Sequence, residues 1–242
     1  MAEQAGICEG GGSLGLIGNL RENLRRWKLA RRTPAEVFAR YARTNKWGDR
    51  ESLSGKGSNL AATAELRRIL PEILRDLGAT SLLDVPCGDF HWMAHVDLAG
   101  IDYLGGDIVP DLIAQNRARH GAAGRRFEVI DLITGPVPRA DVVFVRDCLV
   151  HLSNDHALAA LRNIAASGSG WLLTTTFPNT GRNAEIATGQ WREIDLTRAP
   201  FNLPPPHRIF AEGQAEIRGQ NEDKFLGLWQ ISALRDVIGA QA

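Results

Sequence analysis

The stretch SLLDVPCGDFHWM, residues 81–93, indicates the fold class of this chain of 242 residues. It begins with a short apolar run, typical of a buried strand, that carries the acid Asp84 near its end. A turn containing Gly88 follows, and Asp89 comes directly after it. In an open parallel sheet, ligands bind beyond the carboxyl ends of the strands, where glycine lets the backbone approach them closely. The stretch therefore predicts the first strand of an α/β sheet with a ligand site at its end.

Strand-like and helix-like segments alternate after this stretch. Apolar runs at 102–108, 126–132, 141–150 and 171–177 predict strands, and periodic segments at 110–121 and 154–168 predict helices. This alternation predicts a doubly wound, Rossmann-like α/β fold with a mostly parallel, seven-stranded sheet. The segment DKFLGLWQIS, residues 223–232, predicts a closing strand at the sheet edge.

The first 58 residues precede the alternation, and we predict that they form an N-terminal helical extension and cap, with the main domain over 59–242. Residues 33–36, Thr-Pro-Ala-Glu, form a capping box that predicts a helix ending near residues 41–44. The stretch NLRENLRRWKLARR, residues 19–32, is basic and helical. It is either a solvated helix face or a docking site for an anionic partner.

The loop at residues 45–59, NKWGDRESLSGKGSN, superficially resembles a phosphate-binding Walker A motif. Its first glycine has the wrong spacing, and Lys56 is followed by glycine rather than by serine or threonine, so we reject that interpretation. A glycine-rich turn that offers its amides near the polar end of a ligand is the remaining interpretation.

Composition argues against several classes of protein. Lysine and arginine together number 28, as do aspartate and glutamate, and this balance argues against a nucleic-acid partner. No window of the sequence approaches the roughly 20 apolar residues of a membrane span. We also predict no signal peptide, because the sequence does not begin with a basic segment followed by an apolar run. The three cysteines, Cys8, Cys87 and Cys148, are widely spaced and odd in number. They indicate a reducing compartment, so we expect a cytoplasmic protein.

Further acids lie at the ends of later strands, namely Asp107, Asp131 and Asp147. Asp107 follows the first turn at about the 20-residue spacing at which this architecture places the acid that binds ribose hydroxyls. The turn lacks the three glycines of a dinucleotide fingerprint, and its acids would repel phosphate groups. The strand ends therefore suit a ligand that has a ribose and a positive charge but no phosphate.

These segments resemble the motifs of class I methyltransferases that use S-adenosylmethionine. LLDVPCGD resembles the first motif, YLGGDI the ribose-binding strand end, FEVIDL the third motif, and DVVFVRDCLVHL the fourth, which faces the substrate. The resemblance covers about residues 60–178, and the motifs come in the family's order. The sequence departs from the family at Pro86, where glycine is usual, which stiffens the turn but leaves the acids in place.

The resemblance implies S-adenosyl-L-methionine as the cofactor. Gly88 would admit its amino-acid part, Asp107 would accept hydrogen bonds from its ribose, and Asp131 would accept one from its adenine. Asp84 would organise the first turn, and Asp89 would contact the ammonium group. The expected cofactor-binding residues are Asp84, Gly88, Asp89, Asp107, Ile108, Asp131, Leu132 and Arg146.

A hydroxyl acceptor must lose a proton as it attacks, and histidine titrates near neutrality. Asp147 and His151 are four residues apart, so one helical turn would place them on the same side. We predict that His151 is the catalytic base and that Asp147 orients it or binds a divalent metal such as Mg²⁺, with Asp155 as a further ligand. The alternative for His151 is a structural role at the helix that begins near Ser153.

Residues 179–210 are rich in proline and aromatic side chains, and we predict that they form a substrate lid. The expected acceptor-binding residues are Trp92, Asn183, Glu185, Trp191 and Glu193. Aromatic faces beside polar groups suit a saccharide, although the same aromatics would also serve simply to anchor a long loop. The segment resembles a bacterial subgroup of saccharide O-methyltransferases, such as that of mycobacterial methylmannose polysaccharide synthesis.

The sequence thus predicts an S-adenosylmethionine-dependent O-methyltransferase that acts on a small polyhydroxylated acceptor, with a saccharide as the best expectation. One alternative is an RNA or protein methyltransferase that docks its substrate on residues 19–32. The other is a non-catalytic scaffold that binds S-adenosylmethionine. A homodimer is compatible with the sequence.

Overall fold

The computed structural model describes residues 23–212 and 223–239. Seven strands form one sheet in the order β3-β2-β1-β4-β5-β7-β6. The strands are Ser81–Asp84 (β1), Asp102–Asp107 (β2), Arg125–Val129 (β3), Val142–Val145 (β4), Trp171–Thr176 (β5), Arg208–Ala211 (β6) and Phe225–Gln230 (β7). Strands β1 to β5 pair in parallel, and β7 runs antiparallel to both of its neighbours. The predicted Rossmann-like, mostly parallel sheet of seven strands is confirmed.

Helices cover both faces of the sheet. They are Pro34–Arg43 (α1), Ala64–Asp76 (α2), Pro110–His120 (α3), Asn154–Ala166 (α4) and Ile231–Gly239 (α5), and residues 23–30 are also helical. The capping box before α1 is present, because Thr33 and Glu36 each accept a hydrogen bond from the backbone N–H of the other. At α4, Ser153 is the cap and accepts a hydrogen bond from the backbone of His156.

Two hydrophobic cores lie on opposite faces of the sheet, and β4 contributes to both. Val143 and Val145 pack into the core that contains α4 and α5, while Val142 and Phe144 pack into the core that contains α2. All four side chains are fully buried. A parallel strand that is covered on both faces has no side exposed to water. The sequence of β4 is therefore apolar at every position.

The chain crosses from one half of the sheet to the other beside β1, which pairs with β2 on one side and with β4 on the other. Loops leaving these neighbouring strands turn toward opposite faces of the sheet and open a crevice at their carboxyl ends. The acids that end the strands therefore meet at one place.

The prediction that residues 223–232 close the sheet at its edge is wrong. Strand β7 lies between β5 and β6, and the short β6 forms the edge. β6 lies directly after a proline-rich stretch, where alternation over four residues gives only a weak strand signal. Among the helices of the described residues, none is long and apolar enough to cross a membrane.

Candidate active site

A cleft opens at the carboxyl ends of β1, β2 and β4. The predicted residues that line it are Asp84, Gly88, Asp89, Trp92, Asp107, Ile108, Asp131, Leu132, Arg146, Asp147 and His151. The structure therefore brings together residues from the first, second, third and fourth motifs. Part of the remaining wall comes from the N-terminal region through Phe38, Ala42, Trp47, Leu53, Ser54 and Ser58.

The turn after β1 is held by Asp107 of β2. Gly88 has a φ of +54°, and its N–H donates a hydrogen bond of 3.1 Å to Asp107 Oδ2. The N–H of Val109 donates to Asp107 Oδ1 at 2.9 Å. A side chain at position 88 would collide with Ser54. Glycine is therefore required here both by the backbone conformation and by the close approach of the loop above it.

Asp84, which we expected to organise this turn, instead accepts a hydrogen bond of 2.6 Å from the hydroxyl of Tyr103. Burial raises the pKa of Asp84 to about 7 and the pKa of Asp107 to about 6. Neither carboxylate forms an ion pair with the residues that the structure describes. These two carboxylates therefore lie buried at the cleft without a cation in ion-pair contact, although the charge of Arg146 acts on Asp84 from farther away. Each carboxylate has acceptor lone pairs to spare.

Asp89 secures the loop at residues 45–59, which we call the cap loop. Its two carboxylate oxygens accept hydrogen bonds from Ser52 Oγ at 3.0 Å and from the N–H of Leu53 at 2.7 Å. At the other end of the loop, Arg146 Nη2 donates to the carbonyl of Gly57 at 2.9 Å. The cap loop is thus tied to the sheet after β1 and after β4, and it covers the cleft between them.

The residues Phe38, Trp47, Leu53 and Ser54 were missed by sequence reasoning. They lie outside the recognised motifs, in the region predicted as an N-terminal extension and cap, where the sequence suggested a turn near a ligand but no particular side chains. One signal was available: Trp47 and Leu53 are large apolar side chains in an otherwise polar, glycine-rich loop. Such side chains in a loop indicate that the loop packs against something, and here it packs over the cleft.

Two basic and two acidic side chains form a network of ion pairs at the end of β4. Lys224 Nζ and Arg146 Nη1 lie 2.7 Å and 3.3 Å from Asp147 Oδ2. The same two cations hold Glu212 Oε2, at 3.1 Å from Lys224 Nζ and 2.7 Å from Arg146 Nη2. Although burial opposes ionisation, Lys224 and Arg146 hold the pKa of the Asp147 carboxyl far below its usual range. Asp147 is therefore an anion whenever the protein is folded near neutral pH.

This network corrects the predicted roles of Asp147. It does not orient His151 through a hydrogen bond, and two cations already neutralise the oxygen that would bind a metal. Within residues 23–212 and 223–239, no group of three or more histidine, cysteine, aspartate or glutamate side chains could hold a metal ion. The expected grouping of Asp147 and His151 with Asp155 is thus not found.

His151 is oriented by a backbone carbonyl. Its Nδ1 lies 2.9 Å from the carbonyl oxygen of Gln190, and because a carbonyl only accepts, Nδ1 carries the hydrogen. Burial lowers the pKa of His151, which favours the neutral ring. In that form Nε2 has a free lone pair, as a general base requires. The ring packs against Trp47, with the centroids 5.6 Å apart.

His151 does not cap α4, because Ser153 is the cap. The alternative of a structural role remains, since the bond from Nδ1 to the Gln190 carbonyl also holds two loops together. Cys148, another residue of the cleft wall, is not a nucleophile at neutral pH, since burial raises its thiol pKa to about 12.

The other four predicted acceptor-binding residues do not line the cleft. Asn183 donates hydrogen bonds to backbone carbonyls of its own loop, including that of Asp195 at 2.9 Å. Glu185 and Glu193 accept hydrogen bonds from nearby backbone and hydroxyl groups. Trp191 is 49% exposed and has its ring edge-on to Phe177, which directly follows β5. These side chains fix the shape of the segment and attach it to β5 and α4.

Comparison with known proteins identifies the fold. No family model matches the chain, and no curated protein matches its sequence. An S-adenosylmethionine-dependent methyltransferase from Clostridium acetobutylicum matches with a TM-score of 0.52 and 7% identity, over 69% of this chain and 90% of that one. The 1,6-didemethyltoxoflavin-N1-methyltransferase of Burkholderia thailandensis matches with a TM-score of 0.50 and 19% identity, over 69% and 78%.

Human N-acetylserotonin methyltransferase also matches, with a TM-score of 0.50 and 13% identity, over 90% of this chain and 67% of that one. At these identities the likeness concerns the fold alone. The chain shares with these methyltransferases a Rossmann-like fold, here a mostly parallel sheet of seven strands flanked by helices.

Proposed function

We propose that the protein is an S-adenosylmethionine-dependent O-methyltransferase that acts on a small hydroxylated molecule. The observation that carries the proposal is the pair of buried carboxylates, Asp84 and Asp107, that flank the Gly88 turn with no cation in ion-pair contact among the described residues. A site of this kind complements hydroxyl and ammonium groups and repels phosphate.

The residues of the cleft fit this cofactor. Asp107 already accepts two backbone N–H groups, and a carboxylate offers about four lone-pair sites, so it can still accept from ribose hydroxyls. Ile108 and Leu132 provide an apolar wall beside the acid Asp131, which suits an adenine ring with its amino group. When bound, S-adenosylmethionine supplies a methyl group that its sulfonium has already activated.

The chain's own residues would then handle the acceptor. His151 Nε2 would take the hydroxyl proton, while the Gln190 carbonyl keeps the ring in the productive tautomer. Phe38 and Trp47 would exclude water from the acceptor side of the cleft and limit the orientations that the acceptor can adopt. Methyl transfer needs little more from the protein than this alignment and the removal of one proton.

The chemical class that we propose for the acceptor is broader than the saccharide expected from the sequence. A saccharide was expected partly from Asn183, Glu185, Trp191 and Glu193, and these lie outside the cleft. The wall near His151 is formed largely by apolar and aromatic side chains: Phe38, Trp47, Cys148 and Leu152. This wall suits a ring with an apolar face and a hydroxyl at its edge, a description that fits phenols and also pyranosides.

The test has two stages. Calorimetry with S-adenosylhomocysteine should show binding, and ATP, which shares the adenosine but carries phosphates, should bind much more weakly. A radiolabelled methyl-transfer assay should then be run over phenols, methyl glycosides and RNA. Failure to bind S-adenosylhomocysteine would contradict the proposal. Binding without transfer would favour a scaffold, and transfer to RNA with steep salt dependence would favour a nucleic-acid methyltransferase.

Several predictions from the sequence stay predictions. These are the division of the chain at residue 58, the lid role of residues 179–210, the cytoplasmic location and the homodimer. For the lid, the Gln190 carbonyl offers a specific connection, since any movement of that loop would also move the partner of His151.

A further inference from the structure

The helical residues 23–30 carry an exposed surface that plays no part in the cleft. Leu29 is buried and packs with Tyr41, so it anchors this helix to α1. Leu24 and Trp27, in contrast, are 50% and 53% exposed. With about 100° of rotation per residue, these two lie on the side of the helix opposite to Leu29. One side of the helix is thus attached to the protein, while the other presents large apolar side chains to the surroundings.

The same helix carries a concentration of positive charge. Residues 23–32 contain no acidic residue and the basic residues Arg25, Arg26, Lys28, Arg31 and Arg32. The guanidinium of Arg31 lies 4.0 Å from the centre of the Trp27 ring. Because the whole chain has a formal net charge of zero, this positive charge is local and is not part of a generally basic surface.

Apolar side chains set among arginine and lysine are typical of a helix that lies in the interface of an anionic membrane. Tryptophan and leucine enter the boundary of the acyl chains, and the long basic side chains extend to the headgroups. Nucleic acid would be bound by the charges alone, without a need for exposed leucine. We propose that residues 23–32 dock the protein on an anionic lipid surface.

The test is co-sedimentation of the full chain with vesicles of phosphatidylglycerol and phosphatidylcholine, and with vesicles of phosphatidylcholine alone. The protein should bind the first kind at low salt, less at high salt, and should not bind the second. The double variant Arg26→Glu, Lys28→Glu should bind at least about 20-fold more weakly, since each basic residue at the surface contributes about fivefold. Leu24→Ser combined with Trp27→Ser should weaken binding at least about tenfold.

Matched control variants separate this helix from the rest of the surface. Arg75→Glu combined with Arg119→Glu alters two exposed basic residues elsewhere, and Ile209→Ser removes an exposed apolar side chain on β6. Both should bind vesicles as the unmodified chain does, and thermal melts should show that all variants are folded.

No binding to phosphatidylglycerol vesicles at low salt would overturn the proposal. A serine double variant that binds as well as the unmodified chain would overturn it too, because the attraction would then be purely electrostatic. An RNA oligonucleotide that binds more tightly than the vesicles, with no dependence on Leu24 and Trp27, would assign the surface to nucleic acid instead.

Discussion

The two sides of the cleft hold their carboxylates in opposite ways. On the side of β1 and β2, which we call the unpaired side, Asp84 and Asp107 are buried without a cation, and burial raises both pKa values. On the side of β4, which we call the paired side, Asp147 and Glu212 share two buried cations. The unpaired side has acceptor capacity that only a ligand can use. On the paired side the charges are balanced within the protein, and only Glu212 Oε1 of these two carboxylates is buried without a hydrogen-bond partner among the described residues.

The difference between the two sides shows which carboxylates gain from the binding of a ligand. A buried carboxylate without a cation in contact costs stability even when it accepts hydrogen bonds, and further hydrogen bonds from a ligand can restore part of that stability. The unpaired side is therefore suited to bind a ligand. The paired side already satisfies its charges, so its contribution is a fixed framework beside His151. Substitutions of the four paired charges should therefore act mainly on the free energy of unfolding, those of the unpaired carboxylates should change ligand affinity, and that of His151 should change catalysis.

The largest effect should come from breaking the paired side. Lys224→Met would leave Asp147 and Glu212 with one buried cation between them, and we expect a loss of about 3–5 kcal/mol in the free energy of unfolding. Urea denaturation followed by circular dichroism measures this loss. The control is Arg126→Met, which breaks an ion pair whose side chains are both more than half exposed and should cost less than about 1 kcal/mol. Equal losses in the two variants would contradict the distinction.

The pH dependence of stability should differ in sign between the two sides. Asp84 has its pKa raised to about 7, so the folded protein binds this proton more readily than the unfolded chain does. Its contribution to stability is fully present below about pH 4 and is lost as pH rises to about 7, a change on the order of a few kcal/mol.

Asp147, whose pKa is lowered, contributes stability above about pH 4 that is lost on further acidification. Asp84→Asn should shrink the decline between pH 4 and 7, and the part caused by Asp107, whose pKa burial raises to about 6, should remain. The loss of stability on acidification below pH 4 should also remain, as unfolding curves recorded across the whole range would show. A decline of unchanged size in the variant would contradict the assignment to Asp84.

On the paired side, His151→Gln should lower kcat by about 10²-fold while S-adenosylhomocysteine affinity is preserved. Activity of the unmodified enzyme should fall as pH drops through the histidine pKa, which burial places below its usual range. His156→Gln provides the control, since this histidine bonds to Thr188 and does not line the cleft. A fully active His151→Gln enzyme would leave alignment as the main contribution of the protein.

The smallest of these effects concerns the unpaired side. Asp107→Asn should weaken S-adenosylhomocysteine binding about tenfold, because neutral acceptors form weaker hydrogen bonds than carboxylates do. An amide has one acceptor oxygen, whereas the Asp107 carboxylate accepts from both Gly88 and Val109, so thermal melts should accompany the affinity measurement to show that the variant is folded. In comparison, Asp131→Asn should change affinity by less than about threefold, because this carboxylate is only partly buried. Calorimetry on both variants would compare the two acids directly.

The sequence predicted the unpaired side well and the paired side poorly. The unpaired side follows a local pattern, in which a strand end is followed by a tight turn and then by an acid at the next strand end. Asp84, Gly88 and Asp107 form this pattern, and it can be recognised from the sequence alone because its members lie close together along the chain. Glu212 and Lys224 belong to no motif, and only the pairing of β6 and β7 brings them to β4. Their one signal was a charged residue directly beside an apolar strand.

The predicted acceptor residues failed for a related reason. A long loop with aromatic and acidic side chains has the same composition whether it binds a ligand or holds itself together. Asn183 illustrates this, because its amide donates to carbonyls within the loop. A sequence pattern of this kind does not show which way a side chain points. The capping box at Thr33 was predicted correctly because its hydrogen bonds join residues only three positions apart.

The charge network on the paired side also bears on the order in which the chain folds. Arg146 meets Glu212 across 66 positions of sequence, and Asp147 meets Lys224 across 77. During synthesis the strands up to β5 emerge before either partner, so Arg146 and Asp147 have only each other as ionic partners until β6 and β7 arrive. Completion of the central strands thus waits for the last hairpin, β6 and β7. A nascent chain arrested before Lys224 should remain loosely packed at its middle, although most of its sheet has already left the ribosome.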